Sequence, residues 1–257
     1  MRIKWLSVAS FEIEDNGHHI VTDPYITAND NSPCTWENVE GCDIITLTHG
    51  HFDHITDIPA LYEKYNPLIM CGEQTALPLA HWSDCNPMRI YPMTPNLEID
   101  FDWVKVKALF GLHVEANGGC REVETNICNA DIVKKDQGMK ELQLIGSIEY
   151  RNYLFTFPDG KKVLVWGNEM SVPQRNMLRE IKPDAAILQA TGQADDPKHY
   201  AEFVKEIGAK AVIPHHMDCF LTKDQWMPRM RRIKEELSVT APETKFIIPE
   251  YNKWMSF

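Results

Sequence analysis

Three histidines and an aspartate fall within six residues near the start of the chain. Residues 48–54 read THGHFDH, directly after the apolar run 43–47 (DIITL), which predicts a buried strand that ends in this loop. Neutral imidazole is a common ligand of zinc, manganese and iron, and a carboxylate adds the negative charge that a desolvated divalent cation needs. Packing alone gives no reason to place three histidines so close together. The stretch therefore predicts a metal site at the end of a buried strand.

Strand and helix patterns alternate along most of the chain, which predicts an α/β fold. Strands are predicted at 3–14, 18–22, 43–48, 68–71, 97–110 (one or two strands), 142–148, 153–157, 162–166, 184–190, 211–214 and 245–248. Helices are predicted at 57–65, 73–80, 172–181, 197–207 and 224–237. In each half, strands come first and then alternate with helices. This order predicts a sandwich of two mixed β-sheets covered by helices, in a single domain spanning 1–257.

Periodicity fails between residues 114 and 140, where three glycines, two cysteines and mixed charge occur. A stretch of this length without regular structure is typical of a functional loop. We expect a lid or an insertion beside the site, with a disordered segment as the alternative.

Composition narrows the class of partner. A net charge of -11 disfavours a protein that binds the nucleic-acid backbone, which needs clustered lysine and arginine.

No secretory signal pattern opens the chain and no 18-residue apolar run occurs, so we expect a cytoplasmic protein that does not bind membranes. The seven cysteines are scattered without a C-x-x-C pair and are expected to be reduced. Homo-oligomer formation is left open.

Further candidate ligands follow later strands. His113, the pair His215 and His216, and Asn168 each come within three residues of the end of a predicted strand. Because strand-end loops on one edge of a sheet converge, ligands remote in sequence can share one cleft. Asp23 also ends a strand, where a turn cap and a partner for a metal-bound histidine are equally good interpretations.

The pattern H-x-H-x-D-H at 49–54 matches the motif of the metallo-β-lactamase superfamily, and the length and later histidines fit over essentially the whole chain. Asp23-Pro24 and Pro214-His215-His216 resemble the branch that contains ascorbate 6-phosphate lactonase. The resemblance implies a four-layer αββα sandwich. It also implies two divalent metal positions, with zinc or manganese as the expected ion.

The ligand set implied by the resemblance divides into two groups. The first metal would be held by His49, His51 and His113, and the second by Asp53, His54 and His216. His216 is chosen over His215 because the family's last histidine lies two residues after a residue like Pro214.

One position departs from the family pattern. Where the family has Gly-Asp, with the aspartate bridging both metals, this chain has Gly167-Asn168. Two divalent ions carry four positive charges, of which Asp53 offsets one and the family's aspartate would offset another. Either the second metal binds weakly, or Glu169 or Asp23 substitutes for the aspartate, or the Asn168 amide oxygen is a neutral ligand. We expect a site that holds one metal firmly and a second conditionally.

The resemblance implies a hydrolase in which a metal-activated water attacks a small polar substrate, with Asp53 orienting the water or taking its proton. Lactones, esters and phosphoesters are the expected classes, and a sugar lactone phosphate is the favoured example. The candidate phosphate contacts are cations near the predicted loops, namely Arg121, Lys134, Lys135, Arg151 and Lys223. The alternatives are a metal-binding sensor or degenerate relative with little turnover, and an enzyme that cleaves RNA phosphodiesters.

Overall fold

Two β-sheets form the frame of the molecule, in a computed structural model that describes residues 1–113, 131–167, 172–190 and 196–257. The strands are β1 Arg2–Ser7, β2 Ser10–Asp15, β3 His18–Thr22, β4 Ile44–Thr46, β5 Leu68–Cys71, β6 Ile90–Pro92, β7 Glu98–Asp100, β8 Lys105–Phe110, β9 Arg151–Thr156, β10 Lys162–Trp166, β11 Ala185–Gln189, β12 Ala211–His215, β13 Lys245–Phe246 and β14 Trp254–Ser256. Within the described residues each sheet has seven strands, in the orders β14-β1-β2-β3-β4-β5-β6 and β13-β12-β11-β10-β9-β8-β7.

Both sheets mix parallel and antiparallel pairs. In the first sheet β1, β2 and β3 pair antiparallel, whereas β3 to β6 run parallel. The second sheet repeats this plan, with β7 to β10 antiparallel and β10 to β13 parallel. The predicted fold class, two mixed sheets flanked by helices, is confirmed.

The helices cover the outer faces of the sheets. They are α1 Phe52–Ile55, α2 Ile58–Tyr65, α3 Glu73–Ser83, α4 Asp131–Lys134, α5 Gln137–Gly146, α6 Val172–Ile181, α7 Pro197–Ile207 and α8 Lys223–Thr240. In the part of the chain that the structure describes, none of them is both long and apolar enough to cross a membrane.

Alternation along the strands creates the two cores of the first sheet. Neighbouring residues of a strand point to opposite faces. Ile44 and Met70 pack into the core that also contains the second sheet, whereas Ile45 and Ile69 pack with the helices on the other face. Apolar side chains on both faces explain why β4 and β5 read as continuous apolar runs.

The structure corrects the prediction of a strand at 142–148. Residues 137–146 form α5, whose buried residues Met139, Leu142, Gln143 and Gly146 follow helical spacing. The Asp136 side chain accepts a hydrogen bond from the Met139 amide and so caps the first turn. In sequence, an apolar run of this length fits a strand as well as a helix. The side-chain cap at Asp136 stabilises the helix that the structure contains.

Three smaller findings concern other predictions. The predicted strand 3–14 is two strands, β1 and β2, joined by a turn at Val8 and Ala9. Strand β14, which pairs with β1, was not predicted. Of the predicted lid at 114–140, residues 114–130 lie outside the described residues, and α4 and the start of α5 occupy most of the remainder. The described cysteines are free and buried.

Candidate metal centre

Two groups of three metal-ligating side chains lie at the loop that follows β4. In each group, every residue offers one ligand atom and these atoms lie within 4.8 Å of one another. The first group is His49, His51 and His113, and the second is Asp53, His54 and His216. Each takes two members from the 49–54 loop of the first sheet and one from a loop of the second sheet. These are the groupings that the resemblance implied.

The loop owes its shape to a short helix and to close packing against α5. His51 precedes α1, so that Asp53 and His54 lie on its first turn. The Phe52 amide donates a hydrogen bond to the Gln143 side chain of α5. Gly50 permits this approach, because a Cβ there would lie 2.8 Å from the Leu142 carbonyl oxygen.

The buried carboxylate of Asp23, directly after β3, holds the 49–54 loop through contacts with Thr48 and His54. Asp23 accepts hydrogen bonds from the Thr48 amide at 2.7 Å and from the Thr48 hydroxyl at 2.9 Å. Its Oδ2 atom also lies 3.2 Å from Nδ1 of His54. Of the two interpretations of Asp23 left open above, the histidine partner is the one observed.

Hydrogen bonds select the nitrogen that each imidazole of the first group turns to the centre. The Thr48 hydroxyl donates to Asp23 and therefore accepts from Nδ1 of His49 at 2.9 Å. Nε2 of His49 is buried and has no hydrogen-bond partner. The Ser147 hydroxyl donates to the Gln143 carbonyl and so accepts from Nε2 of His51 at 3.2 Å, which leaves Nδ1 of His51 unprotonated.

The rings of the first group are in contact. His49 lies 4.4 Å from His51 and 4.8 Å from His113, measured between ring centroids. Tyr150 stacks on the ring of His49 at 4.8 Å. Burial first, and then neighbouring imidazoles, lower the pKa of His49 and His51 well below the usual range. Both rings are therefore neutral at pH 7, the form that binds a metal.

The second group centres on one oxygen of Asp53. Its Oδ2 atom lies 3.3 Å from Nε2 of His216 and 3.9 Å from Nε2 of His54. The Cys219 thiol donates to the same oxygen at 3.5 Å. Burial alone would raise the pKa of Asp53, but the His54 and His216 imidazoles outweigh it and hold the pKa well below the usual range. Asp53 is therefore ionised at neutral pH.

A divalent ion fits this set of residues. The unpartnered Nε2 of His49 is a buried polar atom that needs a partner, and the neutral imidazoles of His49 and His51 with the ionised carboxylate of Asp53 offer donor atoms that suit zinc or manganese. The first group would hold an ion through nitrogen alone. The second group would add one negative charge through Asp53.

Other predicted residues are placed as follows. Asn168 and Glu169 lie outside the described residues, so the completion of the site stays a prediction. His215 lies apart from both groups, and its Nε2 is 3.2 Å from the Trp166 carbonyl oxygen. The prediction of Arg151 as a phosphate contact is wrong. Its guanidinium is buried, pairs with Glu73 and Glu149, and donates to two backbone carbonyls.

Sequence reasoning missed the residues that hold the ligands in place. Thr48 stands beside the motif, and its position directly before His49 was the available signal. Ser147 and Gln143 were hidden in a segment predicted as a strand. Cys219 lies 166 positions from Asp53, and no local pattern marks it.

Comparison with known proteins gives the same family. Residues 2–216 match the family model described as "Beta-lactamase superfamily domain". A UPF0173 metal-dependent hydrolase from Koribacter versatilis (strain Ellin345) is 23% identical over 224 residues, which are 86% of this chain and 85% of that protein.

Two solved structures share the fold over the full length of the chain. Igni18, a metallo hydrolase from Ignicoccus hospitalis KIN4/I, has a TM-score of 0.71 at 16% identity and covers 100% of this chain and 98% of its own. The isothiocyanate hydrolase from Delia radicum gut bacteria has a TM-score of 0.67 at 17% identity, covering 100% and 99%. At these identities the likeness shows the fold alone.

The family match spans most of the chain, the sheets have the corresponding architecture, and both groups of ligands come together at the motif. The chain therefore belongs to the beta-lactamase superfamily, as a metal-dependent hydrolase.

Proposed function

We propose that this chain hydrolyses a small uncharged lactone or carboxylic ester at the two groups of ligands. The observation that carries the proposal is the pairing of a group that contains the neutral imidazoles of His49 and His51 with a second group built around the ionised carboxylate of Asp53. Zinc or manganese is the proposed ion, with one ion held firmly and the second conditionally. The proposed compartment is the cytoplasm, where the free cysteines would stay reduced.

The residues of the centre divide the work as follows. A bound divalent ion lowers the pKa of a water towards about 7 and polarises a carbonyl oxygen. Asp53 is ionised and faces His216 and His54 through Oδ2, which supports the proposal that it orients the attacking water or accepts its proton. Asp23 and Thr48 hold His54 and His49 in fixed tautomers, so that the ligand set is preorganised.

Exposed apolar side chains that adjoin residues of the centre in sequence support an uncharged substrate over a phosphorylated one. Leu112 precedes His113, Ile148 follows Ser147 and Phe220 follows Cys219, and all three side chains are exposed. Arg151, by contrast, is buried in ion pairs and unavailable to a phosphate. The net charge of -11 also opposes an RNA substrate.

A substrate panel tests the proposal. Zinc- and manganese-loaded protein is assayed with simple lactones, p-nitrophenyl acetate, a sugar lactone phosphate, bis-p-nitrophenyl phosphate and single-stranded RNA. We expect turnover of the lactones or the ester, lost in His51→Ala and kept in His81→Ala, which removes an exposed histidine of α3. Turnover of the phosphorylated compounds or of RNA alone would contradict the proposed substrate class.

A second candidate function is a metal-binding sensor with little turnover. The replacement of the family's bridging aspartate by Asn168 favours it, because the centre then lacks one negative charge. Stoichiometric metal binding without turnover of any compound in the panel would support this candidate over hydrolysis.

A further inference from the structure

We propose that Asp218 is a positioning residue that fixes the backbone of His216 and thereby sets the affinity of the second group for its metal. The inference rests on the proposed role of Asp53, His54 and His216 as ligands. Asp218 belongs to neither group of ligands and acts through Val8.

Two hydrogen bonds join Asp218 to His216 through one residue of the other sheet. The Val8 amide donates to Oδ1 of Asp218 at 3.0 Å, and the Val8 carbonyl accepts from the His216 amide at 2.9 Å. Val8 lies in the turn between β1 and β2 of the first sheet, whereas His216 follows β12 of the second sheet. The pair of bonds therefore fixes His216 relative to the sheet that carries Asp53 and His54.

Both backbones that this contact joins are in an unfavourable conformation. Val8 has a φ of 41° and His216 a φ of 65°, in the left-handed region. For a β-branched residue such as valine this region is a genuine outlier. Such a conformation persists only where the surroundings hold it, and strain of this kind concentrates at functional sites.

The carboxylate itself is unusual. Asp218 has 0% exposure, and the groups described as donating to its carboxylate are neutral, a backbone amide, a side-chain amide and a hydroxyl, rather than lysine or arginine. Its Oδ2 atom accepts a hydrogen bond from the side-chain amide of Asn29 at 2.9 Å and another from the Tyr251 hydroxyl at 3.0 Å. A buried carboxylate without a positive partner is costly. An ion held by His216, two residues away, would supply positive charge nearby.

A purely structural role predicts something different. If Asp218 only joined Asn29 and Tyr251 to the fold, its loss would lower stability and leave the relative affinity of the two metal positions unchanged. If it positions His216, the second metal is affected and the first, which uses none of these residues, is not.

Cobalt titration of the whole chain, followed by visible absorption and by bound metal, tests the proposal. For Asp218→Ala we expect the dissociation constant of the second ion to rise by about 10–100-fold, with that of the first within about threefold. Asp218→Asn, whose amide oxygen can still accept from the Val8 amide, should recover part of the lost affinity, while its NH₂ group faces the NH₂ donor of Asn29 in place of Oδ2. Tyr251→Phe is the matched control, because it removes a bond to Oδ2 and leaves Oδ1 with Val8.

A measurement on the unmodified protein covers the case in which Asp218→Ala does not fold. Coupling between two binding events is reciprocal. If the hydrogen bond between the Val8 amide and Asp218 raises the affinity for the second ion, binding of that ion must in turn stabilise this hydrogen bond. Hydrogen exchange at the Val8 amide should therefore slow on addition of the second equivalent of cobalt and not of the first.

The outcomes separate the two claims. A wild-type protein that binds no second ion overturns both the proposed second group and the role of Asp218. A wild-type protein that binds two ions, with equal losses at both positions in Asp218→Ala or with unchanged exchange at Val8, leaves the proposed function standing and overturns the role of Asp218.

Discussion

Oδ2 of Asp23 lies 3.2 Å from Nδ1 of His54, and the same oxygen accepts the hydroxyl of Thr48, which in turn holds His49. One buried carboxylate thus supports a residue from each group of ligands, directly in the second group and through a hydroxyl in the first. This arrangement explains why the 49–54 loop can present its imidazoles in fixed tautomers.

Asp23→Asn should weaken the second metal position. Asparagine tolerates the φ of 39° at this position and can still accept from the Thr48 amide. Its NH₂ group, however, would replace Oδ2 and so face both Nδ1 of His54 and the Thr48 hydroxyl. It would favour the His54 tautomer that carries its proton on Nε2, and it would leave the Thr48 hydroxyl without its acceptor. We expect the dissociation constant of the second ion to rise by about 10–100-fold in a zinc titration.

Asp84→Asn is the matched control for that variant. Asp84 is also a left-handed aspartate, with a φ of 55°, but it is exposed at the end of α3. Its substitution should leave both metal positions unchanged. Equal affinities in Asp23→Asn and wild type would contradict the role given to Asp23.

Thr48→Val should weaken the first metal position and lower the free energy of unfolding. Valine keeps the shape but leaves Nδ1 of His49 without its acceptor, a loss of about 1–3 kcal/mol for a buried group. Chemical denaturation and metal titration measure the two effects. Thr48→Ser keeps the hydroxyl and should behave like wild type; a serine variant as impaired as the valine variant would count against the hydrogen bond.

Gly146→Ala should disturb His51 and destabilise the protein. A Cβ at residue 146 would lie 2.5 Å from Cδ2 of His51 and 2.9 Å from its amide nitrogen. Overpacking of this kind costs about 1–3 kcal/mol, more than the gain of about 1 kcal/mol in helix propensity. Thermal unfolding and binding of the first ion report the change.

Gly138→Ala in the same helix is the control. A Cβ there would lie 3.2 Å from Cδ1 and 3.3 Å from Cβ of the half-buried Trp82, contacts that are much looser than those at residue 146. We expect a neutral effect on stability and on metal binding. A similar loss in both alanine variants would show that the contact with His51 is not the cause.

His215 should make the protein sensitive to acid. Burial, and then the neighbouring His216, lower the pKa of His215 to about 3, whereas the unfolded chain has a histidine pKa of about 6.5. The stability that the neutral ring provides is fully present above pH 6.5 and is lost as the pH falls towards 3. Urea unfolding at several pH values measures this.

His215→Gln removes that titration. The difference in unfolding free energy between wild type and this variant should shrink below pH 6.5, by up to about 1.4 kcal/mol per pH unit. A difference that stays constant from pH 7.5 to pH 4.5 would rule out His215 as the source of acid sensitivity.

Local signals were enough to predict many of the elements. Leu68–Cys71 and Pro197–Ile207 have the predicted bounds, because an apolar β-rich run and a proline-started helix after Asp196 are both signalled within a few residues. The two groups of ligands were also anticipated, through the motif and the resemblance built on it.

What the sequence could not predict depends on distant packing. The three residues of β14 form a strand only because β1, at the other end of the chain, pairs with them. The Ser147 hydroxyl meets His51 across 96 positions, and Asp218 meets Val8 across 210. Contacts of this kind follow from how the sheets and helices assemble.

Anomalous scattering at the zinc absorption edge, from crystals grown with zinc, tests the central claim most directly. The account predicts one peak bounded by His49, His51 and His113, and a second, of lower occupancy at limiting zinc, bounded by Asp53, His54 and His216. Zinc bound elsewhere on the chain, with neither group within bonding distance of a peak, would contradict it.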